Sequence, residues 1–249
     1  MANPRFKHSC VALEGKLYAV GGHASGQALE TAEGYDPQTD GWQPLAKMTT
    51  TRSALALAAV GGKVYVLGGY GGNSALESVE AYDPQLGTWA LVASMSGKRK
   101  NHASVVLDGK IYTMGGLDDD AELLDTVEVY DPQANSWQQV ASMPQRVYAH
   151  AAAVMGGKIY VTGGTYGIVS VNAVYVYDPQ ADAWAQLASM STARRIHASA
   201  AVGGKLYVFG GRDGDEYLST AEIYDPASGS WVQGPSLTLA REFFAAFAL

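Results

Sequence analysis

The chain has 249 residues, a formal net charge of −7 and only 16% charged residues. At 47% hydrophobic it is long and apolar enough for one sizeable core, expected over residues 1–249 as a single domain. The acidic balance disfavours nucleic acid as a partner, and the absence of an 18-residue apolar run argues against a membrane span. Residues 1–7 lack an apolar signal-peptide core. Cys10 is the only cysteine, so no intramolecular disulfide can form, which fits a reducing, cytoplasmic setting.

The first predicted element, residues 7–13, is an apolar run that ends at Glu14-Gly15, and Asp-Gly or Gly-Gly holds the same place in every later copy. Such pairs mark a tight hairpin, because its central residues need positive φ. The second element, residues 17–20, is short, β-branched and aromatic, and it runs into Gly21-Gly22. After a polar loop the third alternates, as in Thr126-Val127-Glu128-Val129-Tyr130, and Asp-Pro stops it. The fourth starts at a tryptophan and ends near a methionine. This unit recurs five times at intervals of 47 or 48 residues, with glycine pairs at Gly21, Gly68, Gly115, Gly163 and Gly210 and tryptophans at 42, 89, 137, 184 and 231. A fixed period of that length means one supersecondary unit repeated, and four antiparallel strands in a meander make a propeller blade.

The glycine pairs, the Tyr-Asp-Pro triplets and the Trp seven residues after each Tyr resemble the Kelch repeat family, across nearly the whole chain. Wording such as Ser78-Val79-Glu80-Ala81-Tyr82-Asp83-Pro84 is most similar to the Kelch domains of BTB–Kelch proteins. The resemblance implies a non-catalytic propeller that binds a protein or peptide, in that family to recruit a substrate to a cullin ubiquitin ligase. Nothing in the chain resembles a BTB or BACK region. Kelch-type propellers also include copper oxidases and sialic-acid mutarotases. A sugar-directed enzyme of the mutarotase type, or an engineered propeller without an evolved ligand, therefore remains the alternative reading. Fold does not choose between them.

The expected fold is all-β, with five four-stranded blades plus one extra inner strand, because residues 241–249 read as a sixth copy of the first element. Five-blade closure is the expectation, the terminal strand displacing or supplementing residues 7–13. An incomplete six-blade ring is the alternative, with self-association through the incomplete blade.

Arg5, Arg52, Arg99, Arg194 and Arg241 each stand sixteen residues before the first glycine of a pair or in the matching terminal register, whereas Arg146 is out of step by one. They have two readings. In one they cap strand ends and pair with loop carboxylates. In the other they converge at the channel mouth and hold an acidic motif, as the resemblance implies for this position. Tyr70, Asn73, Tyr148, Tyr166 and Arg212 in adjoining loops complete the expected ligand-binding set. The acidic loop residues Asp118, Asp119 and Asp120 read as a solvated rim rather than a calcium loop. His8, His102, His150 and His197 share one register with Leu55 and Phe244, a pattern better suited to packing than to metal. No catalytic residue, metal or cofactor is expected.

Overall fold

A computed structural model of the chain describes residue 1 and residues 4–246. The Gly-bounded apolar runs form five four-stranded antiparallel sheets, each a meander whose strands pair in chain order. The innermost strands are Ser9–Leu13, Ala56–Val60, Ala103–Leu107, Ala151–Met155 and Ala198–Val202. Within blade 3 the order is Ala103–Leu107, Lys110–Met114, Val127–Asp131 and Ser136–Val140, with Tyr130 opposite Trp137 and Leu107 opposite Lys110. Innermost strands of successive blades pack on each other from blade 1 to blade 5.

The innermost strands begin about two residues later than the pattern suggests. Lys7, Ala54, Asn101, Ala149 and Ile196 take positive φ between 52° and 55°, which no strand accommodates. These residues form a hydrogen-bonded chain around the channel instead. The Ala54 N–H donates to the Lys7 carbonyl, Asn101 to Ala54, Ala149 to Asn101, and Ile196 to Ala149.

Phe243 is the sixth member. Its φ is 54°, and its N–H donates to the Ile196 carbonyl at 3.3 Å. The segment 241–246 thus supplements Ser9–Leu13 rather than displacing it, and takes a sixth place between blade 5 and blade 1. The innermost strands of those two blades do not pack on each other as the other neighbours do. The expected terminal strand falls partly on residues 247–249, outside the described residues.

The core is a set of interfaces between blades. Four apolar clusters join blades 1 and 2, 2 and 3, 3 and 4, and 4 and 5. In each, a second-strand tyrosine meets the third-strand tyrosine of the next blade, as Tyr65 meets Tyr130 with ring centres 5.8 Å apart. The tryptophans are only half-buried; each lies against its own blade's tyrosine. Four of them, Trp89, Trp137, Trp184 and Trp231, also donate to a backbone carbonyl of the preceding blade at 2.7–2.8 Å.

Candidate binding surface

The repeat arginines are not an open anion site. Arg52, Arg99 and Arg194 are buried, and each makes the same bonds within its own blade. Arg99 donates to the Gly115 and Thr126 carbonyls, the Thr126 hydroxyl and the Glu128 carboxylate. Arg52 pairs with Glu80 at 3.0 Å, Arg194 with Glu222 at 2.8 Å, and Arg5 with Glu33. Of the two readings, the structure supports internal pairing. An arginine at a blade entrance bonds its own blade's third strand and glycine turn, so its fork is spent before a ligand could reach it. Burial by itself would raise the Glu222 carboxyl, but the Ser191 amide and Arg194 outweigh it and hold it below its usual range. Arg241 differs: it is exposed and makes no ion pair among the described residues.

The remaining expected residues lie on the loop face but do not form one cluster. Tyr70 sits under the Lys100 ammonium, 5.2 Å from its ring centre, and Asn73 is exposed nearby. Arg212 is committed to Asp215 at 2.7 Å and to the Tyr217 ring. Tyr148 and Tyr166 belong to another region of that face, over blades 4 and 5.

There a hollow of about 540 Å³ is lined by Lys7, Asn101, Tyr148, Ile168, Arg195 and Phe243, among others. Two short ribbons stand beside it, Thr165–Tyr166 with Val169–Ser170 and Arg212–Asp213 with Glu216–Tyr217. Their tips expose Ile168 at 89%, with Tyr166, Val169 and Tyr217 more than half exposed. Arg195 ties the ribbons together by donating to the Ile168 and Gly214 carbonyls.

Lys7, Asn101, Ile168 and Phe243 lie outside the expected site, and Lys100 and Arg195 only add charge beside it. The sequence does hold a signal for all but Ile168. The two positions after each buried arginine register read Phe6-Lys7, Ser53-Ala54, Lys100-Asn101, Tyr148-Ala149, Arg195-Ile196 and Glu242-Phe243. The arginine is constant because it is internal, whereas its followers vary because they face the mouth.

Below the mouth lies a neck of about 190 Å³, lined by the six-copy register of His8, Leu55, His102, His150, His197 and Phe244 with the residue before each. Among the described residues neither ring nitrogen of His102 has a hydrogen-bond partner, His150 lies against the Met114 backbone, and His197 meets the Thr162 hydroxyl at 2.9 Å. Burial pushes His197 down to about 3 and His150 to about 4, with His102 also well below its usual value for the same reason. The rings stay neutral near pH 7 and pack over the glycine turns of the preceding blade. No group of three or more His, Cys, Asp or Glu among the described residues is placed to hold a metal. Cys10 is half-buried in the first innermost strand, and burial raises its thiol to about 11, which leaves it an unreactive packing group.

A ring of antiparallel blades stitched by glycine pairs is the architecture of a β-propeller. Residues 56–237 match the KLHDC2/KLHL20/DRC7 Kelch-repeats domain, and residues 4–49 match the Kelch motif. The chain belongs to the Kelch-repeat family. It is 46% identical over 48 residues to Kelch-like protein 23 of Mus musculus and of Homo sapiens, and 38% identical over 58 residues to Kelch-like protein 35 of Mus musculus. These matches span 19% of this chain for the first two and 23% for the third, and only 9% and 10% of the relatives' own lengths. The solved structure of YjhT superposes with a TM-score of 0.88 over 99% of this chain and 88% of its own, at 17% identity, a likeness of fold alone. No helix among the described residues is long and apolar enough to cross a membrane.

Proposed function

We propose that the chain is a non-catalytic binding scaffold of the kind found in BTB–Kelch proteins, working inside the cell, whose loop face over blades 4 and 5 holds a segment of a partner protein. The observation that carries this is the contrast within one register. The buried arginine repeats, while the neighbouring positions differ from blade to blade and line an open mouth. A rigid scaffold with variable residues at one end is suited to recognition. The exposed Ile168 and the tyrosines supply apolar area, Lys7 and Arg195 supply positive charge, and the one carboxylate of the lining, Asp215, is paired with Arg212, so an acidic segment with one apolar anchor fits the surface.

The test is to select acidic peptides from a display library on the parent chain, then titrate them against Lys7→Ala/Arg195→Ala and Ile168→Asp variants. Binding should weaken about tenfold or more in each variant and should weaken with added salt. Equal affinities with an unchanged melting temperature would remove the proposed surface.

A further inference from the structure

The four interfaces between blades are built alike, but two of them hold an acceptor that the other two lack. At the turn after each third strand one residue takes positive φ in every blade: Asp40, Gly87, Asn135, Asp182 and Gly229. Between blades 2 and 3 the Asn135 side-chain oxygen accepts the Tyr130 hydroxyl at 2.8 Å and the Ala93 N–H of the preceding blade at 2.9 Å. Between blades 3 and 4 the Asp182 carboxylate does the same with Tyr177 and Ala141. Those two donors, the Tyr177 hydroxyl first and the Ala141 amide second, hold the Asp182 carboxyl below its usual range. Between blades 1 and 2 the acceptor is missing, because Gly87 stands in its place. The donors are still held in position. The Trp89 indole bonds the Ala46 carbonyl at 2.8 Å, as Trp137 bonds that of Ala93. Tyr82 lies on Trp89 with ring centres 5.1 Å apart, against 5.0 Å for Tyr130 on Trp137. Neither the Tyr82 hydroxyl nor the Ala46 N–H has a partner among the described residues.

A crevice of about 370 Å³ opens beside these donors, lined by Tyr18, Gly34, Leu45, Tyr82 and Pro84, among others. Gly34 makes the room. It stands opposite Tyr18, where blades 2 to 5 set Ala81, Val129, Val176 and Ile223 opposite their own tyrosines. Lys16 and Asp36 at its edge are paired with each other at 3.0 Å. The interface between blades 4 and 5 repeats the missing acceptor, with Gly229 beside Tyr224, but there Val176 fills the place of Gly34. Two unpaired donors and open space therefore coincide between blades 1 and 2. We propose that this crevice binds a small organic carboxylate. One oxygen accepts from the Tyr82 hydroxyl and the Ala46 N–H, as the Asp182 carboxylate does in its own interface. The apolar body of the ligand lies over Gly34, against Tyr18 and Leu45. A concave, mostly apolar site with a few convergent donors is what a small molecule requires. The crevice lies at the hairpin turns that end the first and third strands, on the face opposite the loop-face hollow.

The probe is benzoate, titrated into the full chain and followed at the Ala46 amide and the Trp89 indole in proton–nitrogen correlation spectra. Both signals should shift saturably. Binding should weaken about tenfold or more in Tyr82→Phe, which removes one donor, and in Gly34→Val, which copies blade 4. Benzyl alcohol, with the same ring and no carboxylate, should also bind about tenfold more weakly or worse. Gly87→Asn should abolish binding, because asparagine supplies the oxygen from within as Asn135 does. A Cβ at Gly87 meets nothing within 4 Å, and asparagine tolerates the positive φ. The same variant should melt at a higher temperature, since it pairs two donors that the parent leaves free. The proposal is overturned by the absence of a saturable shift at Ala46, or by equal affinity for benzyl alcohol. It is overturned equally by a Gly87→Asn chain that still binds benzoate or melts no higher than the parent.

Discussion

Each fully bonded arginine ties a glycine carbonyl, a Ser or Thr carbonyl and hydroxyl, and a glutamate into one buried network, as Arg52 does with Gly68, Ser78 and Glu80. Blade 4 shows the same place without charge. Val147 stands in the arginine register, buried, with its N–H on the Leu124 carbonyl; Ala173 replaces the hydroxyl residue and Tyr175 the glutamate. Pro144 replaces the residue whose N–H bonds the carboxylate in blades 2, 3 and 5, so no donor is left behind. The whole network is exchanged together, as expected when a half-satisfied buried ion is costlier than none. Arg99→Val or Glu128→Tyr alone should therefore cost about 3–5 kcal/mol in urea unfolding. Arg99→Val with Thr126→Ala and Glu128→Tyr should recover most of that loss; additive losses would mean that the blades do not tolerate the exchange. The histidines give a pH prediction. In the folded chain His150 and His197 titrate near 4 and 3, below the unfolded value of about 6.5. As pH drops below about 6.5 the unfolded state takes up protons that the folded state refuses. Their contribution is therefore full above that pH and is lost progressively towards 3–4. The urea midpoint should fall between pH 7.5 and pH 5, and less so in His150→Leu, which copies Leu55. Identical slopes for the two chains would exclude His150 as a cause.

At the scale of the element, the glycine pair has two separate duties. The first glycine of each pair lies against the carbonyl of the arginine register; a Cβ on Gly68 or Gly115 would stand 2.6 Å from it. The second donates its N–H to that same carbonyl, as Gly69 does to Arg99 at 2.9 Å. Both have positive φ. The pair therefore joins one blade to the loop entering the next. Gly156, in a hairpin turn, also has positive φ, but nothing lies within 4 Å of a Cβ there. Gly156→Ala should cost only the backbone term of about 1–2 kcal/mol, whereas Gly115→Ala should cost clearly more because backbone must shift. Similar losses at the two sites, read by thermal unfolding, would refute the close-approach account. The Asp of Tyr-Asp-Pro is equally explicit. It bonds the N–H two residues on and pairs with the lysine that opens the second strand, as Asp131 does with Gln133 and Lys110. Strand existence, hairpins and period were legible in the sequence because each rests on a local rule of this kind. The partners of the arginines were not, since Arg99 and Glu128 are 29 residues apart and only the folded blade brings them together. The neck histidines were legible as packing, because Leu55 and Phe244 occupy the same register.

Across the whole molecule, stability passes between neighbours, because each blade buries its faces only against the next. Among the described residues that succession stops at blade 5. There the segment 241–246 supplies three backbone bonds: Gly211 N–H to Arg241, Arg241 N–H to Leu218, and Phe243 N–H to Ile196. The Phe244 ring also covers Gly210, taking the place that His197 takes over Gly163. The repeat pattern marked this segment as a sixth first element, but where it would sit depended on blade spacing, which no local motif encodes. Its backbone places Phe243 in the same hydrogen-bonded chain as Lys7, Ala54, Asn101, Ala149 and Ile196. At about 1 kcal/mol net for each hydrogen bond, deleting residues 241–249 should remove about 3 kcal/mol or more. For a chain of this size that corresponds to a fall in melting temperature of roughly 6–12 °C. The loss should be local before it is global. Hydrogen exchange should quicken first at Gly211 and at the amides of Lys205–Phe209 and Ala221–Asp225, while Lys63–Leu67 in blade 2 stays protected. If melting is unchanged, or if all five blades lose protection together, the segment is either a dispensable tail or a clasp for the entire ring, and the neighbour-by-neighbour account fails.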